Sequence, residues 1–228
     1  MLTFTEAQLM QWVSPLLWPL IRVLALFSAL PLFGQRMVPA RVRVGLALVV
    51  VVCAQASMPA MPTVALDTPA AIMLVAQQML IGLSLGFAVR VVFAAVEFAG
   101  ELIGLQMGLN FAAFFDPISA SQSTASSRLF GTMVSWLFIV INGHLTVIAA
   151  IVKSFDAFPV GPDPFAFLHA TMPHVWGLEV FRLGTWIALP MLGMLLFANL
   201  VLGVISRVAS QMNIFAVGFP ITLGLGLV

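Results

Sequence analysis

The run Gly100-Glu101-Leu102-Ile103-Gly104-Leu105-Gln106-Met107-Gly108-Leu109-Asn110-Phe111-Ala112-Ala113-Phe114-Phe115-Asp116-Pro117 decides how this chain is read. It lies between two long hydrophobic stretches, yet it is neither a good membrane helix nor an ordinary polar loop. Gly100, Gly104 and Gly108 recur every fourth residue, Phe111, Phe114 and Phe115 follow as a cluster, and Asp116-Pro117 stops the run. Small residues at that spacing let one helix face come close to another backbone. The greasy part after them must be covered by protein, because irregular backbone exposed to lipid leaves its amides unsatisfied. A membrane protein with such an insert between two spans is expected to line or close a passage.

Composition sets the class. Hydrophobic residues make up 62% of the 228 and charged ones 7%, against roughly 25% charged in soluble domains. The chain is therefore an integral membrane protein, expected to be all-α, polytopic and a single membrane-embedded domain over 1–228. A formal net charge of +1 and the lack of a basic run give no sign of nucleic acid. Cys53, the only cysteine, stands in an apolar run and reads as a small buried hydrophobe, with no disulfide or thiolate metal site. Glu6, and no Lys or Arg before Arg22, argue against a cleaved leader with a positive start.

About six hydrophobic stretches follow one another. The first, about Ala7 to Phe33, is interrupted by Pro15, Pro19 and Pro31. The second, about Val44 to Met58, is short for a span, which usually needs about 20 residues. The third runs from about Ala70 to Gly100 and carries Gln77, Gln78, Arg90 and Glu97. The fourth is about Leu129 to Val152, the fifth about Val180 to Val208 with Pro190 and Asn199 inside, and the sixth begins near Ile214 and is still hydrophobic at Val228. That ending is expected of a chain missing a last segment. Between the third and fourth lies a Ser-rich loop from Asp116 to Arg128. Arg36, Arg41, Arg43, Arg128 and Arg207 fall in alternate connections, which by the positive-inside tendency places them in the cytoplasm and the N-terminus outside.

Charges within or beside the stretches are costly if unpaired. Arg22, Arg90, Glu97 and Glu101 either meet opposite charges on partner subunits or line water; alternatively the third helix outruns the bilayer and its glutamates are solvated. Glu97 and Glu101, four apart, share a helix face. Gly82 and Gly86 form a second small-residue pair. At 100° per residue the Gly100, Gly104, Gly108 row falls within about 40° of it, so a continuous helix would carry one glycine seam suited to close helix packing. No HExxH, phosphate loop or His/Cys cluster of metal spacing occurs, and His144, His169 and His174 read as structural. No catalytic residue, metal or cofactor is assigned, and the chain is not read as an enzyme.

The run from Phe93 to Pro117 resembles the signature of the FliR family, flagellar type III export gate proteins related to the SctT proteins of injectisomes. Supporting stretches are Arg22-Val23 with Pro31-Leu32-Phe33, Val38-Pro39-Ala40-Arg41-Val42-Arg43-Val44-Gly45, Asn142-Gly143-His144-Leu145, Phe158-Pro159-Val160-Gly161, and Arg207 to Phe215 leading to Gly218-Phe219-Pro220. Together they cover essentially the whole chain. The resemblance implies a subunit that joins FliP and FliQ in a helical assembly in the bacterial inner membrane, at the flagellar basal body, with FlhB and FlhA adjacent. Unfolded flagellar export substrates pass through that assembly. It also implies hairpins packed largely into the assembly, not all of them crossing the bilayer, with membrane lipid as a further partner, and a helical tail beyond the Phe-Pro element. By the same resemblance Met107, Gly108, Leu109, Asn110, Phe111, Phe114 and Phe115 form an element that plugs the passage, with Asp116 and Pro117 turning the chain out of it.

A small secondary transporter also suits polar residues in spans, proline-broken helices and the lack of enzyme motifs. Against it, no paired broken helices appear in corresponding halves, and the glycine seam and charges ask for unlike partners.

Overall fold

The computed structural model describes residues 6–33, 38–109, 124–161, 166–209 and 214–227, and all regular structure among them is helical. In chain order the α-helices are α1 (Glu6–Ala29), α2 (Ala40–Ala54), α3 (Pro69–Gln106), α4 (Ala125–Val140), α5 (Gly143–Ala157), α6 (Ala166–Thr171), α7 (Trp176–Val208) and α8 (Ile214–Leu227). Four of the described helical segments are long and apolar enough to cross a membrane, or up to five if α4 and α5 are counted as one bent span.

Each hydrophobic stretch becomes helix, with three corrections to its expected form. The first is not broken: α1 runs through Pro15 and Pro19 without interruption. A proline removes one helix hydrogen bond and crowds the preceding turn, but in an apolar setting the freed carbonyls find partners locally and the helix survives. The second is not short. Pro39 holds an extended conformation just before α2, and a 3₁₀ turn at Gln55–Ser57 continues it, so the apolar run covers Ala40–Ser57, 18 residues. Arg41 and Arg43 fall inside its first turns, where long basic side chains can reach out toward the interface. The fourth is not one helix: α4 and α5 meet at a 69° bend. There Asn142 adopts the left-handed conformation (φ 57°) that Asn tolerates better than most residues, and its N–H donates to Ile139 O at 3.0 Å.

Packing divides the chain into two compact units. One comprises Met1–Arg90 and Phe138–Trp176. Its core sets Val23, Leu26, Phe27 and Leu30 of α1 against Ala47 and Val51 of α2 and Val147 and Ile151 of α5. Trp18 forms a second cluster there with Ala71 and Leu74 of α3, its Nε1 donating to Pro62 O at 3.2 Å. The other comprises Val91–Leu137 and Gly177–Val228. In it Ala99 and Ile103 of α3, with Met107 in the turn just after it, pack with Ala188 and Leu195 of α7, joined by Leu223 and Leu225 of α8. Helix α3 contributes to both; its 38 residues make it about 57 Å long, nearly twice a hydrocarbon core of about 30 Å. Of the four candidate spans, those at α2 and α7 are the least covered. Only 11% of the apolar window of each is buried, leaving Leu48, Val49, Trp186, Phe197 and Leu200 exposed.

Candidate functional site

Arg22 was expected to meet an opposite charge on a partner subunit or to line water; in the structure its own chain encloses it. It is 0% exposed, in mid-α1. Its Nε donates to Gln78 Oε1 at 2.7 Å, one terminal nitrogen donates to Ser154 O at 2.9 Å and Ser154 Oγ at 3.0 Å, and the other donates to Phe158 O at 2.9 Å. The guanidinium also lies 3.8 Å from the centroid of the Phe155 ring. Ser154 and Phe158 sit at the C-terminal end of α5, where unpaired carbonyls and the helix dipole concentrate negative potential. A helix end therefore stands where a carboxylate would otherwise be needed. The network continues: Gln78 Nε2 donates to Gln77 Oε1 at 2.8 Å, which also accepts from Gly161 N at 3.2 Å. Gln77 and Gln78 thereby tie the turn after α5 to α3.

The glycines of α3 serve two neighbours. A Cβ at Gly82 would fall on the Arg22 carbonyl oxygen, and one at Gly86 on the Ala29 side chain, so both let α1 lie directly on α3. A Cβ at Gly100 would come within 2.9 Å of Ser127 Cα, and one at Gly104 would overlap Ser126 Oγ; these two admit the start of α4. Gly108 does not extend the row. It has φ 78°, its N–H donates to Leu105 O at 3.1 Å, and Leu109 N donates to Gly104 O at 3.1 Å. That pair of bonds is a Schellman stop with glycine in the left-handed position. Gly104 lies within intact helix, and the turn falls at Gly108.

Glu97 is exposed and lies against Gly131 of α4. Its carbonyl accepts from Ser127 Oγ at 3.0 Å, and Ser126 Oγ donates to Gly100 O at 2.8 Å. Glu101 Oε2 accepts from Thr124 N at 3.1 Å and Thr124 Oγ1 at 3.0 Å. Thr124 in turn precedes α4 as its cap, its Oγ1 accepting from Ser127 N at 3.2 Å. A carboxylate at a helix N-terminus is favoured by the dipole as well as by the bonds. Glu101 thus has hydrogen-bond partners within the chain. Arg90 is exposed on α3, with no ion pair among the described residues.

Met107, expected in the plugging element, is 2% exposed, packed with Ile103 and Ala99 and so close to Gly226 of α8 that a Cβ there would strike its side chain. Leu109 packs against the same cluster. Asn110, Phe111, Phe114, Phe115, Asp116 and Pro117 lie outside the described residues. Sequence reading missed the role of Thr124, Ser126 and Ser127, which it placed in a Ser-rich loop; a Thr just ahead of an apolar run was the available capping signal.

Long apolar helices, a buried membrane arginine neutralised by a helix end, and an apolar run held at its base define an all-α polytopic membrane protein. The chain belongs to the bacterial export proteins, family 1, whose family model matches residues 13–228. It is 42% identical to the flagellar biosynthetic protein FliR of Escherichia coli (strain K12), over 100% of this chain and 87% of the relative. The FliR protein of Pectobacterium carotovorum subsp. carotovorum is 40% identical over the same shares. That of Bacillus subtilis (strain 168) is 30% identical over 91% of this chain and 81% of its own length.

Proposed function

We propose that this chain is a component of the flagellar type III protein export gate, helping to form and to stop the passage through which unfolded flagellar proteins cross the inner membrane. Its partners in this reading are FliP and FliQ in the gate core, with FlhB and FlhA adjacent, and its role is structural, not catalytic. Similarity to FliR proteins along the entire chain is the observation that carries it. The closing role goes to Leu109, Asn110, Phe111, Phe114 and Phe115, which follow the glycine stop at Gly108, with Asp116-Pro117 turning the chain away. An apolar constriction of this kind excludes water and ions by dewetting, and its side chains can still be pushed aside by a translocating chain. Met107 is the anchor of that element.

The test uses a flagellated strain lacking its own FliR protein. The chain is expected to restore swimming and the appearance of flagellar protein in the medium. Deleting residues 107–115 should leave co-purification with the other gate subunits intact and make the membrane leak ions. Failure of the intact chain to restore export despite normal membrane insertion would refute the export role; a tight membrane in the deletion would refute the closing role.

A further inference from the structure

Where α1 ends and α2 begins, the helices leave a cavity of about 190 Å³. Phe27 and Leu30 line it from the end of α1, Leu46 and Val50 from the first half of α2, and His144 and Val147 from the start of α5. Every lining side chain except His144 is hydrocarbon. A cavity of that character stays dry and takes apolar guests, as an engineered one of about 150 Å³ does. It is partly open. One of its walls, Leu46, is 40% exposed, on a helix that buries only 11% of its apolar window. Hydrocarbon from the bilayer therefore has a way in.

The approach to the cavity is basic. Arg43 stands three residues before Leu46 and seven before Val50, on the same face of α2. Along the helix axis it is about 4.5 Å from the first and about 10.5 Å from the second. Its Nε is buried without a hydrogen-bond partner, and one terminal nitrogen reaches Val38 O only at 3.5 Å. Among the described residues no carboxylate pairs with it, and no Asp or Glu occurs in the sequence between Glu6 and Asp67. Arg41 is exposed two residues away. Nδ1 of His144 is a second buried polar atom without a partner. Buried polar atoms are nearly always satisfied. Two orphans at one apolar cavity call for a ligand with an acidic head, a polar neck and a hydrocarbon tail.

We infer that the cavity holds an acyl chain of an anionic glycerophospholipid whose phosphate sits at Arg43. The guanidinium donates to phosphate oxygens in a charge-assisted contact, and an ester oxygen accepts from His144 Nδ1–H. The chain then runs past Leu46 and Val50, so the order of groups along a lipid matches the order of residues along α2. Basic side chains at a membrane surface favour anionic over zwitterionic lipid, which gives the site its selectivity. The inference does not depend on the export role.

In the test, the purified chain in mild detergent is offered equal amounts of phosphatidylglycerol and phosphatidylcholine, and retained lipid is counted by native mass spectrometry. The unaltered chain should keep phosphatidylglycerol in roughly fivefold preference, the factor one basic side chain contributes toward anionic lipid. Arg43→Gln should abolish the preference while lipid still binds. Leu46→Trp, which fills the cavity from its exposed wall, should keep neither lipid. Leu200→Trp, on the exposed face of α7, should behave as the unaltered chain. Melting curves establish that each variant is folded; should Leu46→Trp fail to fold, Ile148→Phe fills the same cavity from α5 and decides by the same readout. An unchanged preference in Arg43→Gln, or unchanged retention in a folded cavity-filling variant, overturns the inference. In cells, a photoreactive amino acid at position 46 should yield a phospholipid adduct on irradiation. An adduct to another protein and none to lipid gives the cavity to a partner's side chain and overturns the inference too. Neither readout uses secretion or ion leak, so failure here leaves the export role standing.

Discussion

Arg22 shows how a membrane protein keeps a cation inside without a carboxylate. Its four hydrogen bonds go to an amide oxygen, a hydroxyl and two carbonyls, and its flat face lies on Phe155. These acceptors sit where a planar fork reaches them together, which one ammonium group cannot do. Arg22→Lys should therefore be poorly tolerated, and Arg22→Ala, which takes the Arg22 donors from Gln78 Oε1 and Phe158 O, should cost about 1–3 kcal/mol. Both are read as a lower melting temperature of the detergent-solubilised protein, and an unchanged melting curve for Arg22→Ala would refute the role. Gly108 makes a second residue-scale case. Its φ of 78° is a conformation that costs other residues roughly 1–2 kcal/mol. Gly108→Ala is expected to destabilise by that order, measured the same way, whereas Gly108→Asn should lose less.

Among the elements, α3 is the organiser. Gly82 and Gly86 admit α1 to one part of it, and Gly100 and Gly104 admit α4 to another. The periodicity correctly marks these positions as close-packing, but a one-dimensional pattern does not say which helix arrives, nor that the row serves two neighbours. Gly82→Ala drives a methyl onto the Arg22 carbonyl oxygen, and overpacking of that kind costs about 1–3 kcal/mol. Gly177→Ala, where nothing stands within 4 Å of the added carbon, should be neutral or slightly stabilising. A melting comparison of the two separates close packing from mere helix propensity; equal effects would count against the packing role. The bend between α4 and α5 was equally hard to foresee. Asn142-Gly143 looks like a simple break inside a continuous apolar stretch, yet it turns the chain by 69°.

For the molecule as a whole, the notable quantity is the apolar surface left over. Helices α2 and α7 bury little of their spans, and a membrane helix gains nothing by hiding such surface from lipid unless another helix packs well against it. Trp186, Phe197 and Leu200 on α7 are therefore available both to lipid and to other subunits. Solubilised in mild detergent, the chain should come out with other small membrane proteins at a fixed ratio. Recovery as a lone monomer under conditions that preserve export in cells would contradict assembly.

Composition and hydrophobic run length alone determined that this is a helical membrane protein, because so few charges and so much apolar surface are compatible with no other solvent. The Gly100 to Pro117 run, together with the supporting stretches along the chain, pointed to the family. Only the tertiary structure decided which charges are internal. Arg22 and Glu101 look alike as isolated charges in apolar sequence, and their partners, Ser154 and Phe158 for one and Thr124 for the other, come from distant helix ends. Backbone carbonyls and amides are invisible in a sequence, every residue having them, so a charge satisfied by backbone can be recognised only once the helices are in place.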